Sequence, residues 1–433
     1  MKKSVRRLAS TAILAALVIP TTSYATNGYF GHAYSSKNSG LAGAGVALPM
    51  DAMASATNPA GMVWVGQVMD VGAAIFSPHR QYTVIGPGDT VTPPPANVPL
   101  FPGTVESDSN YFLIPHFGVN WMLDANSSVG VAIYGNGGMN TDYPNFTNPY
   151  CAGFGGGSGT FCSGATGVNL MQLFVNASYS RKINASSSWG VSVIAAYQQF
   201  EAKGLGAFGA LGFSSDASSL TDNGTDSSTG FGVKIGWQGE VSPGLTLGAS
   251  YQTKTSMGNF DKYKGLFAEQ GGFDIPATAT IGLAYKATPS STVAFDIQQI
   301  YYSDVASIAN PFNSPGFLGD SNGAGFGWED MTVYKIGYQW STGPDWTWRV
   351  GYSYGKQPIP NSEVLFNILA PGVVESHITF GFTNKLSPTS EWNFAAAYMP
   401  SKSVTGPNPL TTNQDVELKM YEYQVEASYS WKF

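Results

Sequence analysis

The sequence predicts an all-β fold: a transmembrane antiparallel barrel of about 14 strands, with an N-terminal segment that is not part of its wall. Three observations carry this. The chain closes on a faultless alternation, its charge is too low for a soluble protein, and short and long connections take turns along most of its length.

The alternation is clearest from Met420 to Phe433. Tyr421, Tyr423, Val425, Ala427, Tyr429, Trp431 and Phe433 share one side; Glu422, Gln424, Glu426, Ser428, Ser430 and Lys432 share the other. Period two places successive side chains on opposite faces of a strand, so one face calls for hydrocarbon and the other for water. The run exceeds an ordinary strand and approaches the roughly 9 to 11 residues that a tilted strand needs to cross a bilayer.

Charged residues make up only 11% of the 433, against about 25% in soluble domains, while 52 glycines and 13% aromatics enrich the chain. Lipid-facing and lumen-facing residues averaged along each strand produce such a composition. Met1 to Ala25 has a basic head (Lys2, Lys3, Arg6, Arg7), an apolar stretch from Leu8 to Ile19 and a small-residue end, which reads as an export signal cleaved before Thr26. No other segment approaches the length of a helical span, so an exported chain that lives in a membrane does so as strands. A net charge of −7 argues against nucleic acid as a partner.

From Gln67 to Phe433 alternating segments are joined by six short turns, beginning with Asp124 to Asn126 and ending with Ser387 to Ser390. Between them lie seven long connections, drawn approximately at His79 to Ser107, Gly138 to Gly167, Ala202 to Thr229, Ser256 to Pro276, Ser303 to Asp330, Gln357 to Val373 and Ser401 to Lys419. Periplasmic turns and extracellular loops alternate in this way in outer-membrane barrels. The phasing directs Lys234, Asp296, Lys335 and Arg349 into the lumen, since charges facing lipid near the midplane would cost several kcal/mol. Cys151 and Cys162, in a Gly-rich stretch, favour a disulfide in an oxidising compartment, worth about 3 kcal/mol or less.

Thr26 to Gly66 differs in kind, being rich in Gly and Ala and without alternation. Pro49 to Ala56 is expected to make one or two helical turns, with Asn58-Pro59 as a stop. The segment is either a hatch threaded into the lumen or a periplasmic tail. Its small residues permit close packing inside something else, and alone it has too few large apolar groups to fold.

Thr26 to Phe30, Ser39 to Gly45 and the triplet Asn58, Pro59, Ala60, with Phe273 to Thr278, Phe326 to Asp330, Val333 to Gly337, Arg349 to Ser353 and Pro358 to Pro360, make the whole mature chain resemble the FadL/TodX family. These are outer-membrane channels for hydrophobic compounds, and a terminal Phe is likewise a habit of outer-membrane barrels. The resemblance implies a fourteen-stranded barrel closed by an N-terminal hatch. It also implies passive uptake of long-chain fatty acids or aromatic hydrocarbons, captured between extracellular loops, passed to a site near the hatch and released sideways where the third strand is kinked. Gly135, Gly137 and Gly138, at the end of that strand, are the candidates for the gap.

Apolar residues in loops are ligand candidates: Leu205, Phe208, Leu211 and Phe213 in the third long loop, Phe260, Leu266, Phe267 and Phe273 in the fourth. As a set they are expected to expose more apolar surface than a monomer tolerates without purpose. Lys262 to Gln270 is a candidate short helix. A fatty acid would call for a cation, and Lys234, Arg349, Lys254 and Lys262 are candidates; a neutral aromatic needs none.

Two rivals remain. A lipid-acting hydrolase would need a nucleophile motif beside one of His32, His79, His116 or His377, and none is present, so no catalytic residue is assigned. A general porin or adhesin would leave the lumen open. Asp222 to Asp226 lacks the closing Glu of a calcium loop, and Asn126, Asn145 and Asn184 fit a glycosylation triplet without meaning in a bacterial setting. No metal or cofactor is expected; the expected partners are a hydrophobic ligand, outer-membrane lipid and lipopolysaccharide, around a monomer.

Overall fold

The computed structural model describes residues 27–91, 97–154 and 157–433. The export signal therefore lies outside the described residues, as does Thr26. Fourteen strands form the wall: β1 (Val68–Ile85), β2 (Phe112–Met122), β3 (Ser127–Asn140), β4 (Gly167–Lys182), β5 (Ser187–Lys203), β6 (Asp226–Ser242), β7 (Leu245–Gln252), β8 (Thr278–Thr288), β9 (Ser291–Ile300), β10 (Met331–Thr342), β11 (Trp346–Gly355), β12 (Ser376–Ser387), β13 (Ser390–Pro407) and β14 (Asp415–Lys432). Each pairs antiparallel with its neighbours in sequence, and β14 closes the cylinder on β1 from Val68↔Lys432 to Ile85↔Asp415. Two short ribbons, Gly103–Glu106 and Ser256–Met257, extend the ladder at its loop end. Among the described residues no helix is long and apolar enough to cross a membrane.

The wall is sorted as lipid demands. On β6, Phe231 and Ile235 are 68% and 53% exposed while Lys234 between them is 5% exposed. Asp296, Lys335 and Arg349 are likewise buried on the inner face. Trp189 faces Trp237 and Trp340 faces Trp348 at the short-turn end, whereas Tyr334, Tyr354 and Tyr398 lie nearer the long loops, giving the aromatic belts of two membrane interfaces.

The ladder runs further than the apolar stripe. The first and last long connections shrink because β1 continues to Ile85 and because β13 and β14 continue to Pro407 and from Asp415. There the stripe is inverted: Tyr82, Val84, Val404, Val416 and Leu418 are buried on the inner face while the outer face carries polar residues such as Gln81, Thr83, Glu417 and Lys419, so the outward apolar stripe ends while backbone pairing persists in water.

Residues 27–66 occupy the lumen. The expected helix at Pro49 to Ala56 lies later, at Ala54–Thr57, and stops at Asn58 as expected; Asn58 also starts a new turn, accepting from the Ala60 N–H at 3.0 Å ahead of Pro59–Gly61 and Met62–Val65. The candidate helix Lys262 to Gln270 is two separate turns, Asp261–Tyr263 and Ala268–Gly271, with Glu269 and Gln270 at positive φ.

Candidate functional site

The luminal segment is tied to the wall by side chains from both. Asp296 accepts from the Gly45 and Val46 N–H groups at 2.7 and 2.9 Å, and Ser36 and Ser39 donate to Glu426 at 3.2 and 2.5 Å. Lys37 pairs with Glu391, and Lys335 donates to the His32 carbonyl at 3.2 Å. Asn58 donates to the Val46 and Trp237 carbonyls at 2.7 and 3.1 Å. Pro59 and Asn58 lie flat on the wall because Gly190 and Gly236 leave room: a Cβ on Gly236 would fall 1.9 Å from Asn58 Oδ1. Every buried polar group placed in this way needs such a partner, which explains charged residues facing inward on so uncharged a chain.

Above the luminal segment the long loops fold onto one another. Leu205, Phe208, Leu266 and Phe267 line a pocket of about 480 Å³ together with Phe200, Leu318, Phe326, Phe366 and Leu369. Phe260 and Phe273 pack behind it, with ring centroids 5.6 Å from Phe200 and 4.8 Å from Phe267 respectively. Phe213 edges onto Phe208, and Leu211 lines a neighbouring apolar pocket of about 380 Å³. The set is thus not exposed as expected: the large rings are buried because loops from separate hairpins cover one another. Phe366 and Leu369 escaped the sequence reading, although the run Val364 to Leu369 carried the same signal, apolar residues in a loop.

No charged side chain lines the larger pocket, and its Ser307 hydroxyl donates to the Gly272 carbonyl at 2.5 Å. The four cation candidates lie elsewhere. Lys254 pairs with Asp274 at 2.9 Å, and Lys262 donates to the Thr225 carbonyl at 2.8 Å. Lys234 donates to the Ala56 carbonyl, and Arg349 to Thr383 Oγ1 at 2.8 Å, both beside the luminal segment. In the second long loop, Cys151 and Cys162 form a disulfide.

The third strand is irregular where its glycines lie. The register of β3 on β4 shifts between Gly135 and Gly137, leaving Asn136 as a bulge. On its other edge the ladder with β2 ends at His116↔Tyr134. Beyond that pair the edge of β3 is met from inside by the luminal segment: Asn136 accepts from the Gly31 N–H at 3.0 Å and Gly138 donates to the Tyr29 carbonyl at 2.9 Å. Higher up the wall is rejoined by a bond from the Asp108 N–H to the Asp142 carbonyl at 2.8 Å. A side window is therefore framed by Phe112 to Pro115, Gly135 to Asn140 and the stretch Tyr29 to Gly31.

A model of the family described as outer membrane protein transport protein (OMPP1/FadL/TodX) matches residues 17–430. The chain belongs to that family. FadL/TodX membership makes it an outer-membrane transport protein and places it in the bacterial outer membrane. Solved structures agree on the fold. The toluene transporter TodX of Pseudomonas putida is 18% identical with a TM-score of 0.66, over 93% of this chain and 99% of that one. The toluene transporter TbuX of Ralstonia pickettii is 16% identical at 0.63, over 93% and 99%. A FadL homologue of Pseudomonas aeruginosa is 14% identical at 0.68, over 94% and 100%. No curated protein sequence matches.

Proposed function

We propose that this FadL/TodX protein is a passive uptake channel for small apolar molecules, captured in the loop pocket and released sideways through the window between β2 and β3 into the membrane. The pocket's lining carries the reading. It is built of rings and aliphatic chains and offers nothing to neutralise a charge. Burial of apolar surface at about 25 cal/mol per Å² favours such a route over an open aqueous pore. Residues 27–66 act as the hatch that closes the lumen, and the chain works as a monomer among outer-membrane lipid and lipopolysaccharide. Two of the structural relatives are toluene transporters, and toluene is the probe best matched to a neutral lining.

Cells carrying the protein should take up radiolabelled toluene faster than cells without it, while the purified chain in planar bilayers conducts little current. Equal uptake rates, or a large steady conductance, would favour the porin reading instead.

A further inference from the structure

The smaller apolar pocket of the loop cluster has no task in the uptake reading. It is bounded by Leu100 of the first long connection, Phe161 of the second, Leu211 of the third, Leu365 of the sixth and Leu410 of the last. No charged side chain lines it; the Thr160 hydroxyl is engaged with that of Tyr82 at 2.9 Å, and Cys162 is held in the disulfide. Its chemistry therefore matches that of the larger pocket. Among the described residues Phe208 alone lines both. The turn that carries it, Gly206–Ala210, serves both walls: Leu205 lines the larger pocket, Ala207 and Leu211 the smaller. The Phe208 ring is buried and stands edge-on to one ring from each pocket, with centroids 5.5 Å from Phe366 of the larger and 5.2 Å from Phe161 of the smaller. Edge-to-face pairs of this kind favour one orientation. The backbone is pinned as well, since the Ala207 N–H donates to Ser163 Oγ and the Phe208 carbonyl accepts from the Phe213 N–H, each at 2.9 Å. One aromatic ring is thus the wall that the two spaces share.

We propose that Phe208 sets the length of the hydrophobic molecule that the loop cluster accepts. Its ring stops a ligand at the end of the larger pocket, so a one-ring compound fits while a long alkyl chain is kept from the second space. The inference rests on reading the larger pocket as the capture site. With alanine at position 208 the common wall is gone, and the joined cavity, lined by hydrocarbon, favours an apolar chain over water and gains with each methylene it shelters. Leu211 lines the smaller pocket and not the larger, so a bulky residue there refills the second space without touching the first.

Initial uptake of radiolabelled toluene and decylbenzene at equal, limiting concentration is to be measured in cells carrying the full chain, with cells lacking it as the baseline. The chains compared are the wild type, Phe208→Ala, Phe208→Leu and the double variant Phe208→Ala with Leu211→Trp. Heat-modifiable migration verifies that each barrel is folded, and Phe208→Leu, which keeps aliphatic bulk, carries the comparison should the alanine variant fail to fold. The quantity read is the ratio of decylbenzene to toluene uptake. It should be low in the wild type, rise roughly tenfold in Phe208→Ala and less in Phe208→Leu, and fall back in the double variant. Uptake of both probes that drops in proportion would make Phe208 a strut of the loops and overturn the proposal. So would a ratio that is already high in the wild type, or one that stays high when Leu211→Trp refills the second pocket. Wild-type toluene uptake no faster than the baseline would remove the capture reading and this inference with it, whereas normal toluene uptake with a ratio indifferent to position 208 would remove this inference alone.

Discussion

Gly31 donates its N–H to the carbonyl of Asn136 at 3.0 Å, so the luminal segment supplies part of the hydrogen bonding that β2 withholds from β3. Strand edges in a membrane cannot stay unpaired, and this bond closes the window from within. Cysteines at Gly31 and Asn136, joined by an oxidant, should abolish toluene uptake, with recovery on reduction. Transport that proceeds at the uncrosslinked rate would remove the window from the path.

The same seam depends on Gly137, where a Cβ would fall 1.9 Å from the Tyr29 carbonyl oxygen. Gly137→Val should push the luminal segment off the strand at a cost of about 1 to 3 kcal/mol. Protease cleavage within residues 27–66 of the purified protein should quicken, and an unchanged digestion rate would contradict the close approach.

The alternation of β14, β11 and β6 was readable because lipid enforces it. An apolar stripe must face outward, so Lys234, Asp296, Lys335 and Arg349 had to face in. Strand ends above the membrane carry the opposite stripe, with Tyr82, Val84, Val416 and Leu418 facing in and polar residues facing out, so a phase that asks for an outward apolar face breaks off near His79 and at Lys419. The luminal turns were misplaced for a related reason: Asn58 caps a helix here only because Val46, Trp237 and the glycines of β5 and β6 fix its position. The glycines of β3 marked the bend, but nothing local in the sequence says that Tyr29 to Gly31, about a hundred residues earlier, fills its edge.

Leu205 lines the loop pocket together with Phe326 and Leu369, so a larger side chain there takes up the pocket's own space. Leu205→Trp should lower toluene uptake at limiting concentration by about tenfold, as expected when a hydrophobic site loses room for its ligand. Barrel migration on gels should be unaffected. Normal uptake in a folded variant would show that the ligand bypasses this pocket.

Asp296 holds two backbone N–H groups of the luminal segment, those of Gly45 and Val46. Asp296→Ala would leave both buried donors without a partner, at about 1 to 3 kcal/mol each. The segment should then open more often, and single-channel recordings should show brief conducting events that the wild type lacks. A silent variant would mean that the remaining anchors, including Lys37 with Glu391 and Lys335 with the His32 carbonyl, suffice.

His32 sits in the luminal segment, stacked on His377 with ring centroids 5.3 Å apart. Burial, reinforced by the Lys335 ammonium, holds its imidazole at about 3, against an ordinary 6.5. In the displaced segment the ring regains its ordinary value and binds a proton below about pH 6.5. The packed state cannot follow until about pH 3, so its stability is full above pH 6.5 and declines as pH falls through that window, by up to about 1.4 kcal/mol per unit. Protease sensitivity of residues 27–66 should therefore rise between pH 7.5 and pH 5, and His32→Gln should flatten the rise. A profile that is level in the wild type, or equally steep in the variant, would assign the pH response to other groups.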